Sequence, residues 1–77
     1  MYIATFHTHF GATGFNRSLT KSGQKGIMCP VPRALSASCG VCVKFPSAEN
    51  ISFSSVTDLD SVYEETDSGC KLIFEAE

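Results

Sequence analysis

At 77 residues the chain supports one domain, 1–77, of a size at which a hydrophobic core is only just sufficient. Its 43% apolar and 18% charged content excludes a disordered chain, and a net charge of −2 leaves no footprint for nucleic acid or an anionic membrane surface. No apolar run approaches the roughly 20 residues of a membrane-spanning helix, and Met1-Tyr2-Ile3-Ala4 lacks a basic leader, so the chain is expected to be cytoplasmic.

Tyr2–Phe6 is short, aromatic and β-branched, and predicts a strand. From Thr8 to Ser22, Ala12, Phe15 and Leu19 recur at helical spacing. Thr8 suits the start of that helix, Lys21 its last turn and Gly23 its end. Gly11 and Gly14 each cost roughly 1 kcal/mol relative to alanine inside a helix, which makes sense where the backbone passes close to a sheet or ligand. Residues 26–31, GIMCPV, predict a second strand, with Pro30 marking its end or an edge position because proline cannot donate to a central ladder. Residues 40–45, GVCVKF, form the clearest strand pattern, closed by Pro46. Within Ser47–Asp60 and just beyond, Phe53, Val56, Leu59 and Tyr63 sit three and four apart, predicting a short or irregular second helix despite many serines and β-branched residues. Segments 61–65 and 70–75 flank Thr66-Asp67-Ser68-Gly69, a turn signal, and predict a terminal hairpin.

The order strand, helix, strand, strand, weak helix, strand predicts an α+β fold: a small ferredoxin-like split β-α-β sandwich, with an antiparallel sheet and helices on one face. In that arrangement the end of the first strand, the start of the helix and the connection after Pro30 share one edge of the sheet. His7, Thr8, His9, Arg33, Ser36, Ser38 and Cys39 are then neighbours.

The chemistry expected at that edge centres on Cys39. A thiol becomes nucleophilic when an arginine, a protonated histidine or a helix N-terminus stabilises its thiolate. Arg33 follows the stiff Pro30-Val31-Pro32 and can pair with a thiolate or an incoming anion. Free N–H groups at the helix start and in the Ser36–Gly40 turn can hold negative charge, and Gly40 allows close approach or a sharp turn. The plainer reading makes Cys39 a small apolar filler at a strand start. Cys42 completes a CxxC and is a candidate second thiol, but positions three apart on a strand face opposite sides, so a buried strand residue is the favoured reading. His7 and His9 with Cys39 and Cys42 would supply a Cys2His2 zinc set, although no second CxxC or HxxxH accompanies them, and no metal is expected. Cys29 opens CPVP, which matches the CPxP of TusA-like sulfur carriers, but there the cysteine precedes a helix whereas here it ends a strand. That match is read as accidental. For Cys70, which has no supporting residues, a packing role is the default expectation, the acidic residues from Asp58 to Asp67 read as a solvated face, and GxSxG, P-loop and paired-carboxylate signatures are all missing.

The N-terminal YIATFHT, the following helix and above all PVPRALSASCG resemble the DUF3343 family, described as selenium/sulfur carrier-like proteins. The resemblance covers roughly residues 2–45, and its P-x-P-R-x-x-S-x-x-C-G core is far more specific than a CxxC. It touches Pro30, Pro32, Arg33, Ser36, Ser38, Cys39 and Gly40. It implies a small cytosolic α+β domain that holds sulfur or selenium as a persulfide or selenopersulfide on Cys39, with Arg33 and the serines as surroundings. The last third departs from the family, which tends toward a charged second helix.

The leading expectation is therefore a carrier rather than an enzyme, without cofactor beyond the transient sulfur or selenium. It would work with donor and acceptor proteins such as a TusA-like carrier, a cysteine desulfurase or selenophosphate synthase. The alternatives are an interaction module whose cysteines only pack, and a small zinc-binding module. Exposed sheet edges in so short a chain also predict self-association, a homodimer being the simplest form.

Overall fold

The computed structural model describes residues 1–31, Leu35, 40–48 and 51–76. Its elements in chain order are β1 (Tyr2–Phe6), α1 (His9–Lys21), β2 (Ile27–Pro30), β3 (Val41–Phe45), a 3-10 turn (Phe53–Ser55), β4 (Leu59–Thr66) and β5 (Gly69–Glu75). The five strands form one sheet in the order β2-β3-β1-β4-β5, and every neighbouring pair is antiparallel. This is the expected α+β class.

Alternation along the strands decides what faces α1. Ala4 and Phe6 of β1, Val43 and Phe45 of β3 and Val62 of β4 enter the same core, into which α1 inserts Ala12, Phe15 and Leu19. Three phenylalanines meet there: the Phe6 and Phe15 ring centroids are 5.4 Å apart and those of Phe15 and Phe45 5.3 Å apart, the latter edge to face. Burying each such ring stabilises by about 1.5–3 kcal/mol, so these contacts dominate a core this small. The helix is therefore held by its Ala12–Phe15–Leu19 stripe, while Phe10, on the other side, stays 81% exposed.

The helix ends where its signals place it. Thr8 is the N-cap, its Oγ1 accepting from Gly11 N at 3.0 Å, and Ser22 is the C-cap, its N–H donating to Leu19 O and Ser18 O. Pro30 is the last residue of β2, an edge strand. Val31 N donates to Gly40 O at 3.0 Å, so Val31 and Gly40 form a hydrogen-bonded pair and Pro30, one step back, points its nitrogen away from β3. The missing donor is thus harmless.

The second helix is the main departure. Among the described residues α1 is the only α-helix, so a sandwich with helices on one face becomes a sheet with one helix, and the ferredoxin-like description goes no further than the class. Where the Phe53–Tyr63 spacing predicts a helix, the chain makes one 3-10 turn and then extends, with Val56 at φ −81°, ψ 127°. Serine chemistry explains this: Ser55 Oγ donates to Ser52 O at 2.9 Å and Ser52 Oγ lies 3.5 Å from Ser54 Oγ, local bonds that compete with a helical ladder. Phe53 meanwhile packs on β5, its ring centroid 5.5 Å from that of Phe74. Leu59 and Tyr63, counted toward the helical stripe, belong to β4.

The terminal hairpin forms as predicted but longer, and Thr66 Oγ1 donates to Gly69 O across the turn at 2.7 Å. Between Thr5 and Phe6 the register against β4 shifts by one residue. Thr5 Oγ1 fills the gap, accepting from Ser61 N at 3.1 Å and donating to Ser61 O at 3.3 Å, which leaves a fully buried hydroxyl satisfied.

Candidate functional site

The strand directions gather one edge. β1 runs up to Phe6, α1 starts at His9, β2 ends at Pro30 and β3 begins at Val41. Because Cys42 is the Cα partner of both Thr5 and Cys29, these four ends lie together at that edge. Segment 32–39 leaves and re-enters there, between Val31 and Gly40, which the 3.0 Å bond ties to each other. Gly40 has φ +71°, a left-handed conformation that glycine adopts without strain, and it makes the turn into β3; among the described residues nothing lies within 4 Å of a Cβ built on it. Arg33, Ser36, Ser38 and Cys39 lie outside the described residues.

His7 and Thr8 stand at the same edge, both exposed. His7 N donates to Asp58 O at 2.8 Å. Besides capping α1, the Thr8 hydroxyl donates to Asp58 Oδ2 at 2.8 Å. The chain's own carboxylate therefore sits at the head of α1, where the sequence suggested room for an external anion, and it complements the positive end of the helix dipole. Asp58 is the neighbour of Thr8 that the sequence does not announce, since there it belongs to an acidic stretch that reads as a solvated face. The Thr57-Asp58 turn is a weak signal, since aspartate tolerates the left-handed region better than most residues and Asp58 has φ +61°.

This small network is testable. Thr8→Ala removes the cap and the partner of Asp58, and a loss of about 1 kcal/mol is expected in urea unfolding, with Thr8→Ser restoring most of it. An unchanged midpoint for the alanine variant would show that the cap carries no weight.

The cysteines separate. Cys42 is fully buried, and its sulfur lies 3.5 Å from that of Cys29 and 3.7 Å from Pro30 O. Cys29, read from the sequence only as an accidental carrier motif, is thus the described thiol facing Cys42. A cross-strand partner thirteen positions away leaves no local spacing to find. Cys70, expected to pack, is instead exposed in the outer hairpin. Among the described residues no three His, Cys, Asp or Glu side chains converge as metal ligands. The zinc set of His7, His9, Cys39 and Cys42 includes a residue outside that description.

Among the described residues no helix is long and apolar enough to cross a membrane. A family model described as "Putative Se/S carrier protein-like" matches residues 1–57, from the start of the chain to Thr57, and so includes the whole of PVPRALSASCG. No curated protein and no solved structure matches the chain.

Proposed function

The chain belongs to the Se/S carrier protein-like family, and from that premise we propose that it carries sulfur or selenium as a persulfide or selenopersulfide on Cys39 and passes it to a partner protein. The observation that carries this reading is the family match over residues 1–57, which contains the motif cysteine together with Pro30, Pro32 and Arg33. The paired Val31 and Gly40 add support, since they bring the two ends of the motif segment together at one end of the sheet.

In the loading step the Cys39 thiolate attacks the terminal sulfur of a donor persulfide. The new S–S bond forms on Cys39 as the donor's S–S bond breaks, and the donor leaves as a thiolate. No net oxidation occurs. Delivery is the same exchange with the acceptor's thiolate as attacking group. Arg33, Ser36 and Ser38 are proposed to stabilise the anion, with the donors and acceptors drawn from cytoplasmic sulfur or selenium metabolism: a cysteine desulfurase or selenophosphate synthase, and a TusA-like carrier.

Incubation with a cysteine desulfurase and cysteine, followed by intact-protein mass spectrometry, tests this. The wild type is expected to gain one sulfur, and Cys39→Ser to lose that gain while keeping its circular dichroism. A gain that survives Cys39→Ser but disappears in Cys42→Ser or Cys29→Ser would overturn the site.

A further inference from the structure

We propose that Cys29 and Cys42 form a thiol–disulfide exchange site, distinct from the motif cysteine, whose oxidised form is a cross-strand disulfide between β2 and β3. Three features of the ladder point there. The two residues are direct Cα partners. Met28 and Val43 pack toward α1, so alternation places Cys29 and Cys42 together on the opposite face. Their sulfurs are 3.5 Å apart, at van der Waals contact.

The Cα spacing of this pair is compatible with the bond. The Val31–Gly40 pair is hydrogen-bonded, and pairs alternate along an antiparallel ladder, so Cys29–Cys42, two steps on, is again a hydrogen-bonded pair. Such pairs have Cα atoms about 5.5 Å apart, inside the roughly 4.4–6.8 Å range of disulfides. Bonding needs the sulfurs to approach by about 1.5 Å, to the usual separation near 2.05 Å. β2 is an edge strand with a sheet neighbour on one side only, and the proposal places the adjustment there.

Exposure divides the labour. Cys29 is partly exposed and Cys42 fully buried, so an external reagent meets Cys29 first. The oxidant is a small-molecule disulfide, RSSR. The Cys29 thiolate attacks one of its sulfurs, forming a mixed disulfide and expelling one RS⁻. Cys42 then loses its proton and attacks the Cys29 sulfur, expelling the second RS⁻. Two protein thiols are oxidised by two electrons, one RSSR is reduced to two thiols, and a dithiol reverses the sequence. Closing the pair ties β2 to β3 next to Val31 and Gly40, at the base of segment 32–39.

The experiment treats folded protein with glutathione disulfide, alkylates the remaining thiols and maps the peptides by mass spectrometry. In a Cys39→Ser/Cys70→Ser background, oxidation is expected to remove two hydrogens and protect both remaining thiols completely from alkylation. Adding Cys42→Ser should instead trap a stable glutathione adduct on Cys29, and adding Cys29→Ser should abolish reaction in the folded state. The wild type, mapped in parallel, needs no substitution to fold and should yield the Cys29–Cys42 cross-link. A wild-type cross-link from Cys42 to Cys39, or a glutathione adduct that persists on Cys29 while Cys42 is present, would overturn the proposal.

Discussion

Phe45→Ala is expected to cost about 3–5 kcal/mol and to leave much of the protein unfolded without denaturant. The ring is fully buried on a central strand, stacked on Tyr2 at 5.6 Å and edge-on to Phe15 at 5.3 Å. Truncation removes the transfer free energy of the ring and leaves a cavity that sheet and helix cannot close, the combination that gives large aromatic-to-alanine losses. A core this small rarely supplies more than about 3–5 kcal/mol in total, so the loss equals most of what is available. Urea unfolding followed by far-ultraviolet circular dichroism measures it, with Phe45→Leu as the milder companion that keeps the fold observable. A loss below about 1 kcal/mol for the alanine variant would mean that the core is not organised around this ring.

The second large effect is expected at Gly11, and there its sign reverses the usual rule. Alanine for glycine inside a helix normally stabilises by roughly 0.5–1 kcal/mol. A Cβ on Gly11, however, would lie 2.6 Å from Asp58 Cβ and 3.2 Å from Thr57 O. Helix α1 and the turn into β4 must separate to admit it, and overpacking of this kind costs about 1–3 kcal/mol. Gly11→Ala should therefore lower stability, whereas Gly14→Ala, whose Cβ would meet nothing within 4 Å among the described residues, should follow the usual rule and raise it. The diagnostic measurement is the double variant with Asp58→Gly, which removes the opposing Cβ and suits the left-handed φ of +61°. The two losses should be non-additive by about 0.5–3 kcal/mol, and simple additivity would remove close approach as the cause.

These two sites also show how much of the molecule could be read in advance. Phe45 belongs to a strand whose apolar pattern and closing proline made it legible, and the Ala12–Phe15–Leu19 stripe, the Thr8 cap and the terminal hairpin were equally plain, because each depends on residues a few positions apart. Gly11 was half legible: its cost inside a helix called for a close approach to a sheet or ligand, but Gly14 raised the same expectation and meets nothing among the described residues. The serine-rich stretch misled because its apolar spacing suits a helix while its hydroxyls bond locally and its Phe53 is drawn to Phe74. Of the candidate site, the gathering of His7 and Thr8 with the ends of β2 and β3 followed from strand order alone. Asp58 could not be anticipated there, since fifty residues separate it from Thr8.

By itself, then, the amino-acid sequence determined the local elements, the α+β class and the motif centred on Cys39, because periodicity, capping and turn chemistry act over short distances. Long-range packing decided that, among the described residues, a single helix covers the sheet, that Asp58 sits at the head of α1, and that Cys42 faces Cys29. Those outcomes depend on which strands become neighbours and in what register, and a pairing register is set by the packing of the whole sheet rather than by any one segment.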